Sequence, residues 1–240
     1  MEKQGVLYEG KAKRVYRTNE SGVLWIEYKD SATAFNGKKK SEIIGKGILN
    51  NEISTRIFSL LKSKEIESHF IERISSNEQL VREVSIIPLE VVTRNIVAGS
   101  FAGRLGLEEG AVLNKPIVEF YYKNDELGDP LLTEDHIEAL EIASLDEVAL
   151  LKEKALKINE VLSQLFLEIG IRLVDFKLEF GKTASNEIIL ADEISPDTCR
   201  LWDVNTNQKL DKDVFRKDLG DLTLVYKEIL NRLGGEFSHV

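Results

Sequence analysis

The sequence predicts an α+β fold in which antiparallel sheets carry packed helices. Three observations predict it. Short β-prone runs occupy both halves of the chain, two long helical stripes are segregated from them, and polar turns join neighbouring β-prone runs as in hairpins. A regular strand–helix–strand alternation, the mark of a parallel sheet, is missing.

GVLYEGKAKRVYRT and GVLWIEYKD open the chain as two β-prone runs, with Gly10 inside the first and a turn at residues 19–22 between them. Ile53, Ile57, Leu60 and Leu61 share one face and predict a helix over residues 46–62. HFIERI, QLVREV and LEVVTRNIV are short and β-branched, and Pro88 punctuates them. A lobe boundary is expected there, dividing residues 1–84 from 85–240. Leu151, Ala155, Ile158, Leu162, Leu165 and Ile169 recur at helical spacing and predict a helix over residues 146–169. Ser144 and Glu147 have the spacing of a capping box, and Gly170 suits a helix end. IRLVDFKLEF alternates Val174, Phe176, Leu178 and Phe180 with Asp175, Lys177 and Glu179, the pattern of a half-buried strand. KTASN turns it back into residues 188–194. Phe215, Leu219, Leu222, Tyr226, Ile229 and Leu233 predict one last helix that stops at Gly234 and Gly235.

At 240 residues, 42% hydrophobic and 30% charged, the chain has the composition of a soluble globular protein. Its net charge of -9 argues against nucleic acid and anionic membrane as partners, so an anionic ligand needs a local basic pocket. One cysteine excludes an internal disulfide, and no secretory leader or run of about 20 apolar residues is present. A cytoplasmic location is expected.

Several residues could carry chemistry. With the KTASN turn centred on Ser185 and Asn186, Glu179 falls opposite Asp192, and facing carboxylates call for a cation or for free solvation. Magnesium and an exposed acidic hairpin both remain open. Lys11 and Lys13 beside Gly10 could hold phosphates or merely protect a sheet edge. Arg94 precedes the glycine-rich AGSFAGRLG, where Ser100 and Arg104 also lie, a setting for a carboxylate or phosphate. FGKT at residues 180–183 fails as a P-loop because Phe176 stands where the first glycine belongs, and reads as a hairpin turn. AGSFAGRLG lacks dinucleotide spacing, and His69, His136, His239 and Cys199 lack zinc spacing.

YEGKAK, EVVTRNIVAGS, LVDFKLEFG with DEISPDTCRLWD, and DKDVFR, in that order from Leu7 to about Arg232, resemble the SAICAR synthetases of purine biosynthesis. The resemblance implies a two-lobed α+β fold related to ATP-grasp and kinase-like nucleotide binders. It implies an ATP-dependent ligase that joins CAIR, an aminoimidazole ribonucleotide carboxylate, to L-aspartate through an acyl phosphate, with Mg²⁺ assisting, and a homodimeric state. Carried onto this chain, it puts Gly10, Lys11, Ala12, Lys13 and Lys123 on the ATP phosphates and Arg82 and Val84 on adenine. Glu179 and Asp192 would hold Mg²⁺, while Arg94, Ser100 and Arg200 would take the anionic ends of CAIR. Asp175 would meet the amine of its base, Asp129 would line the site, and Lys11, Lys13, Lys123 and Asp175 would be catalytic. The loop at residues 30–40 follows the family pattern only loosely, which leaves its part in substrate closure open.

Overall fold

The computed structural model describes residues 1–34 and 37–234; Gly235, His239 and, in the loop at residues 30–40, Phe35 and Asn36 lie outside them. The first half contributes β1 (Lys3–Glu9), β2 (Lys13–Thr18), β3 (Val23–Tyr28), a small hairpin of β4 (Ser31–Ala34) and β5 (Lys39–Glu42), helix α1 (Lys46–Ser63), β6 (Phe70–Arg73) and β7 (Glu78–Arg82). Its main sheet is antiparallel with the order β1-β2-β3-β7-β6. The opening run is itself a hairpin: the chain reverses at Gly10, Lys11 and Ala12, where the Gly10 N–H donates to the Lys13 carbonyl at 2.9 Å. Lys11 therefore sits in the turn, and Lys13 begins β2. Residues 19–22 make the next turn as expected.

The second half contributes β8 (Ser85–Ile86), β9 (Leu89–Ile96), α2 (Gly99–Leu105), β10 (Val112–Tyr122), β11 (Leu131–Leu132), α3 (Glu134–Ala139), α4 (Leu145–Glu168), β12 (Ile171–Lys182), β13 (Ile188–Ala191), β14 (Cys199–Asp203), α5 (Asp213–Arg216) and α6 (Leu222–Arg232). Its sheet runs β11-β10-β9-β12-β13, with β14 and β8 also paired to β12. AGSFAGRLG holds the short helix α2, and FGK belongs to β12, the turn being residues 183–187.

Helix α4 carries the expected capping box, with Ser144 accepting from the Glu147 N–H and Glu147 accepting from the Ser144 N–H. Gly170 follows it at φ +74°. The last stripe is broken in two. Asp218 takes a left-handed backbone and Gly220 lies at φ +148°, after which Asp221 caps α6 by accepting from Thr223 N. The backbone leaves the helical region at Asp218 and Gly220, and the Asp221 cap then satisfies an N–H that the restarted helix would leave free.

The β12–β13 register also differs by one. Thr183 N–H donates to the Glu187 carbonyl at 2.9 Å across a five-residue loop, so Glu179 pairs with Ala191 rather than Asp192. Nor is β12 half-exposed, since Asp175 and Glu179 are each only 3% exposed. Its polar face lines a cleft instead of meeting open solvent.

The main core joins Leu49, Ile53 and Ile57 of α1 to Leu151, Ile158 and Leu162 of α4, Phe176 and Phe180 of β12, and Tyr226 and Ile229 of α6. Each such side chain contributes about 1.5–3 kcal/mol on burial. A small separate cluster of Ile26, Tyr28 and Val81 serves the first sheet. Among the described residues no helix is long and apolar enough to cross a membrane.

Candidate active site

Strand β12 builds the site because its neighbours change along its length. Its first part lies between β9 and β14, in a register that sets Asp175 opposite both Arg94 and Arg200. Directly opposed residues share a face, so the three side chains stand in a row. Arg94 Nη1 donates to Asp175 Oδ2 at 2.7 Å, and Arg200 Nη1 donates to the same oxygen at 2.9 Å. Arg94 is held further by Glu119 at 2.6 Å and Tyr121 at 3.1 Å, and reaches Ser100 Oγ at 3.3 Å. Only 2% of Arg94 is exposed. Burial would lower its pKa, but Asp175 and Glu119 more than offset that and raise it.

Two residues further on, Lys177 ties together the carboxylates of the same face. Its ammonium donates to Glu179 and to Asp192, the latter at 3.2 Å, and lies 3.4 Å from Glu90. Burial alone would lower the Lys177 pKa, but Glu179, Asp192 and Glu90 hold it well above the usual lysine range. Asp192 lies just past β13 with φ +59°, and this left-handed turn lets its carboxylate reach the cleft despite the shifted register. Lys13 donates to Asp192 Oδ1, and Lys123 donates to Glu179 Oε2. Burial pushes the Asp192 carboxyl up, yet Lys13, Lys177 and Lys123 keep it well below the usual carboxylate range. For Glu90, burial first and then Glu179 raise the carboxyl.

The remaining expected residues line the same cleft, of about 810 Å³. Lys11, in the β1–β2 turn with Gly10 and Ala12, reaches across its mouth to Asp125 at 2.6 Å. Arg82 and Val84 form another part of the wall. The Arg82 side chain turns away to Glu67, and its N–H donates to the His69 carbonyl at 2.6 Å. Asp129 stands at φ +51° and shapes the loop at residues 123–130 by accepting from the Asn124 N–H at 2.9 Å. One cleft thus brings together a lysine-and-carboxylate end and a two-arginine end.

The lysine-and-carboxylate end fits Mg²⁺ chemically. Glu179 and Asp192 offer hard anionic oxygens, each anchored by an ammonium and retaining further lone pairs. Among the described residues no group of three or more His, Cys, Asp and Glu side chains could form a complete protein cage. Mg²⁺ is ordinarily held by one or two carboxylates with waters and phosphates, so such a cage is not required.

The family model for SAICAR synthetase matches residues 6–233. The chain belongs to the SAICAR synthetase family. Among curated relatives, the phosphoribosylaminoimidazole-succinocarboxamide synthase of Anoxybacillus flavithermus is 67% identical over 98% of both chains. That of Bacillus cytotoxicus is 64% identical over the full length of both. A solved structure of the synthase from Ehrlichia chaffeensis superposes with a TM-score of 0.95 at 47% identity, covering 98% of this chain and 100% of that one. A SAICAR synthetase in complex with ADP gives 0.94 at 52% identity, covering 97% and 99%. The α+β fold of the family, antiparallel sheets with packed helices, is the fold described above.

Sequence reasoning missed residues that hold the site from behind. Glu119 and Tyr121, which fix Arg94, carry a visible signal: they alternate on one strand, the spacing that puts both on one face. Asp197, in the turn before β14, is 4% exposed at its side chain and paired with Lys46 at 2.8 Å and with the Tyr226 hydroxyl. Nothing local in the sequence announces that pairing across more than a hundred residues. His69, set aside as a zinc ligand, is a buried donor whose Nε2 lies 2.9 Å from the Asp192 carbonyl. Cys199 is buried, as befits a small filler.

Proposed function

We propose that this chain catalyses the ATP-dependent joining of CAIR to L-aspartate, giving SAICAR, ADP and phosphate in purine biosynthesis. The observation that carries the reading is the composition of one cleft in a SAICAR synthetase fold: three lysines around two carboxylates at one end, two arginines around Asp175 at the other. The first end suits a polyphosphate and its metal, and the second suits an anionic substrate.

In this reading, backbone at Gly10 and Ala12 with the ammonium groups of Lys11, Lys13 and Lys123 covers the ATP phosphates, and the wall at Arg82 and Val84 meets adenine. The lobe of residues 1–84 covers the nucleotide, and residues 85–240 carry the metal and substrate site. The change of sheet between Arg82 and Ser85 supports that division. Glu179 and Asp192 would hold Mg²⁺, which supplies neutralisation of the charge that develops during phosphoryl transfer.

Arg94, Ser100 and Arg200 fix the anionic ends of CAIR, and Asp129 lines its loop side. Asp175 accepts from the ring amine with lone pairs that Arg94 and Arg200 leave. The CAIR carboxylate oxygen attacks the γ-phosphorus of ATP, releasing ADP and forming an acyl phosphate. The aspartate amine then attacks the activated carbonyl carbon; the C–N bond forms, phosphate leaves with the C–O bond's electrons, and the amine loses a proton. Lys11, Lys13 and Lys123 lower the cost of crowding anions together, Lys13 most strongly because its side chain is 14% exposed against 47% for Lys11 and 40% for Lys123.

Cytoplasmic residence and a homodimer belong to the same reading; the lone buried cysteine supports a reducing compartment, and light scattering tests the dimer. The activity test is direct. Purified protein should release phosphate from ATP only when both CAIR and L-aspartate are supplied, with SAICAR formed one for one. Transfer of phosphate to CAIR as a stable product without any aspartate requirement would replace the ligase by a kinase.

A further inference from the structure

DKDVFR, at residues 211–216, supplies no residue to the roles above, yet it packs directly behind Arg200. Asp213 accepts from Arg200 Nε at 3.3 Å and from Arg216 Nη1 at 2.7 Å. Its side chain is 1% exposed. Burial pushes the Asp213 carboxyl up, but Arg200 and then Arg216 outweigh it and hold it at about 2. Asp211 sets the position of Asp213: its carboxylate accepts from the Asp213 N–H at 2.7 Å and from the Leu201 N–H at 2.8 Å. The residue after Arg200 is thereby fastened to the start of α5.

A second element meets Arg200 from the opposite direction. Gly99 has φ +53°, and a Cβ built on it would lie 2.4 Å from Arg200 Nη2 and 2.5 Å from Cζ. No side chain fits between the start of α2 and the guanidinium. The guanidinium thus lies against bare backbone at Gly99 while Asp213 holds its Nε and Asp175 holds Nη1.

We infer that Asp213 and Gly99 are positioning residues that set the Arg200 guanidinium for the anionic substrate, Asp213 by anchoring Nε and Gly99 by leaving the space that the guanidinium fills. The inference rests on the reading of Arg200 as a CAIR contact. It gives the DKD segment and the first residue of α2 one shared task, to keep a long flexible side chain in one rotamer so that little ordering remains to be done when CAIR binds.

The test uses the full chain with Asp213→Asn, Gly99→Ala and Arg200→Ala, and the double variant of Asp213→Asn with Arg200→Ala. ADP binding in the presence of Mg²⁺, measured by calorimetry, reports that each protein is folded at the nucleotide end. Asp213→Asn and Gly99→Ala should each raise the KM for CAIR about tenfold with the KM for ATP within about twofold of wild type. The double variant should be no worse than Arg200→Ala, because Asp213 acts through Arg200. Either folded single variant suffices to decide. An unchanged CAIR curve in a folded Asp213→Asn or Gly99→Ala protein, or losses that add fully in the double variant, overturns the inference while leaving the Arg200 contact intact. An unchanged CAIR curve in Arg200→Ala removes that contact itself, and the inference with it.

Discussion

Asp192 is the residue on which the carboxylate end turns. Its left-handed backbone is uncommon outside glycine, and the His69 ring holds its carbonyl while Lys13 and Lys177 hold its carboxylate. Asp192→Asn keeps the shape and removes the charge. Turnover should fall by more than about 100-fold, with weaker Mg²⁺-dependent ADP binding and little change in thermal unfolding. Magnesium dependence equal to wild type would rule out Asp192 as a Mg²⁺ ligand. The alternation of Asp175, Lys177 and Glu179 was readable from sequence because period two is local. That Asp175 stands between two arginines was not, because the pairings of β12 with β9 and β14 join residues 81 and 25 positions apart.

At the scale of elements, α4 was readable at both ends because the stripe, the capping box and Gly170 agree. Ser144→Ala should therefore destabilise the protein by about 1 kcal/mol, seen as a lower urea midpoint with unchanged slope. A midpoint identical to wild type would mean that tertiary packing alone fixes the helix start. Where signals conflicted, periodicity misled. The stripe from Phe215 to Leu233 continues in phase across Asp218, Gly220 and Asp221, but backbone conformation and capping break it there. The hairpin after β12 went astray by one residue for a related reason: KTASN does not reveal whether its turn spans four residues or five. The opening strand hid a reversal because GKA lacks the usual turn residues apart from its glycine.

Taken as a whole, the molecule carries a net charge of -9 yet gathers Lys11, Lys13, Lys123 and Lys177 in its cleft. Each of these ammonium groups is paired with a carboxylate in the structure, so the cleft gives an acidic chain a local set of cations for a polyanionic ligand together with carboxylates that would suit its metal. Acid should weaken the same region. Burial, and after it Lys13, depresses the His69 pKa to about 4 from 6.5. The unfolded chain takes up that proton as pH falls through about 6.5, whereas the folded protein resists until about 4. The contribution, about 3 kcal/mol, is thus complete above pH 6.5 and lost as pH falls towards 4. The gap in urea-derived stability between wild type and His69→Gln should shrink over that window. A gap that stays constant from pH 7 to 4.5 would show that His69 titrates alike in both states.

Helix α1 comes before the change of sheet at residue 84, but its apolar face lies in the main core and packs on α6. The two sheets are therefore not interchangeable modules. A fragment beginning at residue 85 would leave Tyr226 and Ile229 without the surface that Ile53 and Ile57 cover, and a fragment ending there would carry α1 with its apolar side in water. Any recombinant between relatives that exchanges the strands of the first sheet has to leave α1 behind with the C-terminal half, so the viable crossover points lie on either side of that helix rather than at the boundary between the sheets.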